Sequence, residues 1–171
     1  MKDFGGPCIL LDRNDINTDE IIPAKYLTEN TKMALKPFLL EDLQLEGFDP
    51  QSEILQEAKV IISRQNFGCG SSREHAVWVL EVNGINVVIA ENFARIFRQN
   101  AFNCGMLAIE LSQMEIAAIF AIQPTNIAID LEQQKISASG AGEYTCDFEL
   151  NPFDKELVKA GGWLPYADKN Y

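Results

Sequence analysis

A chain of 171 residues, 47% of them hydrophobic, is long enough to bury a sizeable core and of a length that suits one domain. Its 25 acidic residues against 14 basic ones leave a net charge of −11, which argues against nucleic acid or an anionic membrane as a partner, since no basic patch offsets the acidic background. No apolar run approaches the length of a membrane helix and Met1-Lys2-Asp3-Phe4 lacks a signal-peptide core, so a cytoplasmic protein is expected.

Taken in order, Pro7-Cys8-Ile9-Leu10-Leu11 predicts a buried strand. It leads into Asp15-Ile16-Asn17-Thr18-Asp19, a polar loop whose side chains bond their own backbone; local chemistry alone accounts for it as an Asx-type turn. Leu35, Phe38, Leu39, Leu40 and Leu43 form a short amphipathic stretch that suits core, lid or partner surface equally well. Gly47-Phe48-Asp49-Pro50 breaks that pattern, and Val60-Ile61-Ile62 reads as the next strand. Ala76, Val77, Val79, Leu80 and Val82 then repeat with helical spacing, in a helix for which Ser71 or Ser72 is the natural N-cap.

Gly84 turns the chain into strand Val87-Val88-Ile89-Ala90, and Asn92 is expected to cap a helix through Phe93, Ile96 and Phe97. Met106-Leu107-Ala108-Ile109 is a further strand, and Ser112 starts a helix through Ile116, Ile119 and Phe120 that Pro124 closes. Strands alternating with helices imply parallel pairing and an α/β organisation. The last third changes character, with short strands at Ile127–Asp130, Lys135–Ser137 and Tyr144–Phe148 and turns between them. A short helix from Pro152 to Lys159 and a terminal docking segment, Gly161-Gly162-Trp163-Leu164, complete the chain. There is no internal repeat, so residues 1–171 are read as a single domain.

The stretch of chemical interest is Asn66-Phe67-Gly68-Cys69-Gly70-Ser71-Ser72-Arg73-Glu74-His75-Ala76, on a strand-to-helix turn. Gly68 and Gly70 permit a close ligand approach, a helix start offers free N–H groups and the positive end of a dipole, and Arg73 adds a guanidinium. Such a turn receives a carboxylate or phosphate, although two glycines before a Ser-Ser helix start also fit plain capping. The third glycine of a dinucleotide fingerprint and the lysine of a phosphate loop are both missing. Arg95 and Arg98, one turn apart, form either a second anion site or, more commonly, a solvated helix face. His75, the only histidine, is expected to face the core, and its offset from the serines within a helix gives poor geometry for a Ser-His-Asp triad. Cys8, Cys69, Cys104 and Cys146 show no metal or disulfide spacing and are expected to be reduced and mostly buried, with Cys69 lining the turn and doing no chemistry.

Gly68-Cys69-Gly70-Ser71-Ser72-Arg73-Glu74-His75-Ala76 closely resembles the signature of the swivelling domain of the aconitase superfamily. The likeness extends to Asp15-Ile16-Asn17-Thr18-Asp19-Glu20-Ile21-Ile22-Pro23-Ala24-Lys25-Tyr26-Leu27 and to Glu91-Asn92-Phe93-Ala94-Arg95-Ile96-Phe97 with Asn100, Asn103 and Gly105, in the family's order. Residues 28–59 and the last thirty match poorly. In this family the domain either ends a long chain or stands alone as the small subunit of a two-chain dehydratase, and this length resembles the second form.

The resemblance implies a three-layer β/β/α fold with a mostly parallel sheet, flanking helices, a small β-rich C-terminal portion and a projecting specificity loop at 26–45. It implies reversible dehydration and rehydration of a 2-hydroxy acid, with Ser71 as the base in alkoxide form, Ser72, Arg73 and Thr28 binding substrate, and Thr18, Asp19, Gly68 and Gly70 supporting them. The metal chemistry implied is that of a 4Fe–4S cluster on a large partner subunit. A cluster needs about three or four converging thiolates, and these cysteines are scattered, so no cofactor or metal is expected on this chain. Activity is expected only from a heterodimer or higher hetero-oligomer.

The resemblance implies that in relatives accepting a third carboxylate an arginine in the specificity loop is its usual partner, and that residues just after Tyr26-Leu27 meet the substrate's variable group. Here Thr28-Glu29-Asn30 follows, and Glu29 would repel a carboxylate. An apolar side group, as in isopropylmalate of leucine biosynthesis, is therefore expected, although Lys32 or Lys36 folding back would weaken that preference. The alternatives are the small subunit of homoaconitase or of a dimethylmalate- or citraconate-type hydro-lyase, or a non-catalytic anion-binding module.

Overall fold

The computed structural model describes every residue, Met1–Tyr171. Three apolar runs, Val60–Ile62 (β2), Val87–Ala90 (β3) and Leu107–Glu110 (β4), lie in parallel beside Gly5–Leu10 (β1), with Cys8 opposite Val60, Val60 opposite Val87 and Val87 opposite Leu107. β2 and β3 are buried at every position, as expected of parallel strands covered on both faces. On its other edge β1 turns antiparallel, pairing Gly5–Pro7 with Asn126–Asp130 (β5), which continues into Lys135–Ser139 (β6) and Glu143–Asp147 (β7). β5 and β6 place Ile127, Ile136 and Ala138 inward and Asn126, Ala128, Lys135 and Ser137 outward, the alternation of strands with one wet face. The result is one mixed sheet of seven strands in the order β4-β3-β2-β1-β5-β6-β7, parallel in one half and antiparallel in the other, within an α/β fold.

Helices Glu74–Val82 (α4), Arg95–Asn103 (α5) and Gln113–Ala121 (α6) follow the parallel strands. Shorter ones run over Thr18–Ile21 (α1), Lys32–Leu35 (α2) and Glu53–Glu57 (α3), and Pro152–Ala160 (α7) and Trp163–Asn170 (α8) close the chain. Ser112 caps α6 with a full capping box to Glu115, as its sequence predicts. None of these helices is long and apolar enough to cross a membrane.

Of the stretch 26–45, residues 28–33 are exposed, whereas Leu35, Leu39, Leu40 and Leu43 enter the core and Phe38 stacks on Tyr26 with centroids 3.8 Å apart. The amphipathic leucines thus serve as core. Lys32 is drawn to Glu81 on α4 at 2.5 Å.

Four local expectations are corrected. α4 begins at Glu74 with Arg73 at its N-cap position, so neither Ser71 nor Ser72 caps it. The chain is tied as far as Cys69 by bonds to the loop after β1 and turns through Gly70, at φ +97°, before it can wind. Asn92 likewise caps nothing, because its side-chain oxygen accepts the Asn66 N–H at 2.6 Å and α5 starts at Arg95. His75 is half-buried outside the core, its ring 4.7 Å from that of Trp78 and its Nε2 3.2 Å from the Glu29 carbonyl. The terminal docking segment is the start of a full helix, α8.

Candidate functional site

Three loops leave the carboxyl ends of adjacent parallel strands: Leu11–Asn17 after β1, Ser63–Arg73 after β2 and Glu91–Ala94 after β3. Ligand sites of open α/β sheets form at this end. The middle loop is stitched to both neighbours. Gly68 N–H donates to the Ile16 carbonyl and Thr18 N–H to the Cys69 carbonyl, each at 2.8 Å, while Phe67 N–H donates to the Asn92 carbonyl at 3.2 Å and Ala94 N–H to that of Phe67 at 3.0 Å. Asn66 Nδ2 adds a bond to Asp15 Oδ1 at 3.0 Å. With its stem fixed on two sides, the tip from Gly70 to Ser72 stands exposed.

At this tip a cavity of about 230 Å³ opens, lined by Thr18, Gly68, Gly70, Ser71, Ser72 and Arg73 and by Ala94, Arg95, Ile96 and Phe97 from the loop after β3 and the start of α5. Neither serine hydroxyl has a hydrogen-bond partner in the chain, and the backbone N–H groups from Ser71 to His75 are also unbonded. Unmet donors at a helix start, two free hydroxyls and two arginines in one lining are the chemistry that an anion requires. Ligand pockets generally span about 300–1,000 Å³, so this one has the size of part of a site.

The sequence-predicted residues fall into two groups. Ser71, Ser72, Arg73, Thr18, Gly68 and Gly70 line the cavity together. Asp19 stands behind it and pairs with the Arg73 guanidinium, whose side chain is only 14% exposed. Because Asp19 is 62% exposed, that ion pair is solvent-screened and worth about 0–1 kcal/mol, so a carboxylate ligand competes with it readily. Thr28 is exposed and outside the lining, on the segment that Glu29 joins to His75 at the start of α4.

Arg95 lines the cavity, although its sequence context more commonly marks a solvated helix face. The signal lay in the topology: Arg73 and Arg95 each precede or begin the helix after one of two neighbouring parallel strands, so both come to the same end of the sheet. Arg98 behaves differently, reaching Glu110 at 3.2 Å and Asp154 at 3.4 Å.

The cysteines do not form a site. Burial pushes Cys8, Cys104 and Cys146 up to about 11, with a weaker opposing bond at Cys8, and burial followed by the nearby Asp15 carboxylate raises Cys69 as well. All four are free, and no three of the His, Cys, Asp and Glu side chains gather as a metal set. A larger groove of about 710 Å³ lies by β1 and residues 45–57, but its charged lining is Asp12, Glu46, Asp49 and Glu57, which repels an acidic ligand.

Comparison with known proteins agrees with this arrangement. The Aconitase C-terminal domain family matches residues 6–114. The 3-isopropylmalate dehydratase small subunit of Deinococcus deserti is 39% identical over 155 residues, covering 90% of this chain and 81% of that protein. Its counterpart in Bacillus velezensis is 36% identical over 171 residues, covering 94% and 85%. The crystal structure of 3-isopropylmalate dehydratase from Methanocaldococcus jannaschii superimposes with a TM-score of 0.79 at 32% identity, over 97% of this chain and 93% of that one.

Proposed function

The chain belongs to the aconitase C-terminal domain family, and from that premise we propose that it serves as the small subunit of a 3-isopropylmalate dehydratase. The reaction interconverts 2-isopropylmalate and 3-isopropylmalate by loss and readdition of water through isopropylmaleate, in leucine biosynthesis. The observation that carries this reading is the cavity at the strand ends, where two unengaged hydroxyls and two arginines face one opening. The four free cysteines suit a cytoplasmic setting.

In this reading Ser71 takes the proton from the carbon next to a substrate carboxylate. A serine hydroxyl is far too weak an acid to serve unaided, and the free N–H groups around Ser71–His75, with Arg73 beside them, stabilise its alkoxide. Ser72 and Arg73 hold a carboxylate of the substrate, Arg73 exchanging Asp19 for it as a two-pronged partner. Thr18, Gly68 and Gly70 shape the turn, and Asp19 orients Arg73 between turnovers. Thr28 meets the substrate's side group from the exposed segment 28–33. With Glu29 on that segment and Lys32 held by Glu81, an apolar side group is preferred to a third carboxylate.

The Lewis acid that draws off the hydroxyl would be a 4Fe–4S cluster on a large partner subunit, since the thiols of this chain are scattered and no three ligand-type side chains converge. The site is then completed at the interface of two chains, and this chain alone is inactive. The test is an anaerobic assay of this chain, a cluster-bearing large subunit and their mixture with isopropylmalate, homoaconitate and dimethylmaleate. Turnover of isopropylmalate by the mixture alone is expected. Appreciable turnover of homoaconitate would overturn the apolar-pocket assignment, and activity without the large subunit would overturn the shared site.

A further inference from the structure

The chain has five arginines, and four of them are neutralised within it. Arg13 is bound to Glu20, Arg64 to Asp12 at 2.6 Å, Arg73 to Asp19, and Arg98 to Glu110 and Asp154. Arg95 alone has no carboxylate partner, although acidic residues outnumber basic ones 25 to 14. It is also the first residue of α5, a helix with no side-chain cap, where a cation opposes the helix dipole and so works against folding. An arginine without a carboxylate partner at a helix N-terminus, lining the same cavity as two serines whose hydroxyls are unengaged, suits an anion.

From these observations we propose that Arg95 receives the second carboxylate of the dicarboxylic acid whose first is held by Ser72 and Arg73. The inference rests on the hydro-lyase reading and deepens it. Two arginines lining one cavity match a ligand with two carboxylates, and the Arg73–Asp19 pair makes Arg95 the standing positive charge that draws the dianion to an otherwise acidic protein. Arg95 is thereby a determinant of specificity for dicarboxylates over monocarboxylates.

The experiment uses the assembled two-subunit enzyme with wild-type, Arg95→Gln and Arg95→Lys small subunits. Arg95→Gln should raise KM for isopropylmalate by about ten- to a hundredfold, the worth of a charge-assisted hydrogen bond, with a much smaller change in kcat and with partial recovery in Arg95→Lys. Inhibition supplies the readout that a structural role would not move. Isopropylsuccinate, which keeps both carboxylates, should lose affinity by a similar factor, whereas one of its two monocarboxylate fragments, 4-methylpentanoate or 2,3-dimethylbutanoate, should bind wild type and Arg95→Gln equally. Unchanged KM and inhibition constants in Arg95→Gln would overturn the proposal. So would equal weakening of both fragments, or an effect confined to the subunit dissociation constant. A wild-type complex silent toward isopropylmalate would sink the underlying reading as well, whereas a competent wild type with an indifferent Arg95→Gln sinks this inference alone.

Discussion

Gly68→Ala tests how tightly the serine turn is wedged into place. Gly68 has φ +82°, where a residue with a Cβ costs about 1–2 kcal/mol. The added Cβ would lie 2.3 Å from Phe97 Cγ and 2.6 Å from Phe97 Cβ, distances that real Cβ atoms do not adopt. Phe97 cannot swing aside freely, because it is 3% exposed and packed between Phe67, 5.3 Å away edge-on, and Phe93, stacked at 6.0 Å. Overpacking of that kind costs about 1–3 kcal/mol, so the total is about 2–5 kcal/mol. At about 2–4 °C per kcal/mol for a chain of this size, the melting temperature should fall by about 4–20 °C. Gly47→Ala is the control, since Gly47 has a similar φ of +77° but nothing within 4 Å of its added Cβ, leaving only the backbone cost of about 1–2 kcal/mol. Calorimetric melting of both variants separates the clash from the backbone strain. Because Phe97 also forms a wall of the cavity, Gly68→Ala should lower turnover in the assembled enzyme where Gly47→Ala does not. If the two variants melt together and turn over alike, the wedge does not exist.

Asn92→Ala removes the acceptor that holds the Asn66 N–H and should lower the urea midpoint by the equivalent of about 0.5–1.5 kcal/mol, together with a fall in turnover; an unchanged midpoint would count against the stitching of the two loops. The thiols predict an alkaline limb. Cys8, Cys104 and Cys146 are held near 11 by burial, while in the unfolded chain they ionise near about 8.5, so the unfolded state loses protons first and stability falls as pH rises from about 9 towards 11. In the same range, alkylation of these cysteines in the native chain should lag far behind that in urea, and equal rates at Cys8 would contradict its burial.

The strands were legible because their chemistry is unambiguous: Val60–Ile62 and Val87–Ala90 are uninterrupted β-branched and small apolar runs, and Ile127, Ile136 and Ala138 sit at alternate, inward positions. Helix starts were less so wherever a tertiary bond claimed the capping side chain. Asn92 looks like an N-cap but serves Asn66, across 26 positions, whereas Ser112, with no such competitor, caps as expected. Of the site, the serine turn could be read locally because its residues are contiguous, and the loop after β1 could be added by resemblance. Arg95 could not be weighed against Arg98 from spacing, since only the arrangement of carboxylates around each, Glu110 and Asp154 for one and none for the other, separates them. The amphipathic leucines of residues 35–43 were not legible in the same way, because burial against the rest of the chain and burial against a partner have the same periodicity.

The most direct measurement is turnover of isopropylmalate by the assembled enzyme carrying Ser71→Ala. Loss of at least a hundredfold in kcat is expected, within the ~10²–10⁴-fold worth of a general base, with unchanged melting temperature and unchanged affinity for the large subunit. A Ser71→Ala enzyme that keeps kcat within a fewfold of wild type would contradict the assignment of the proton-abstracting group to this turn.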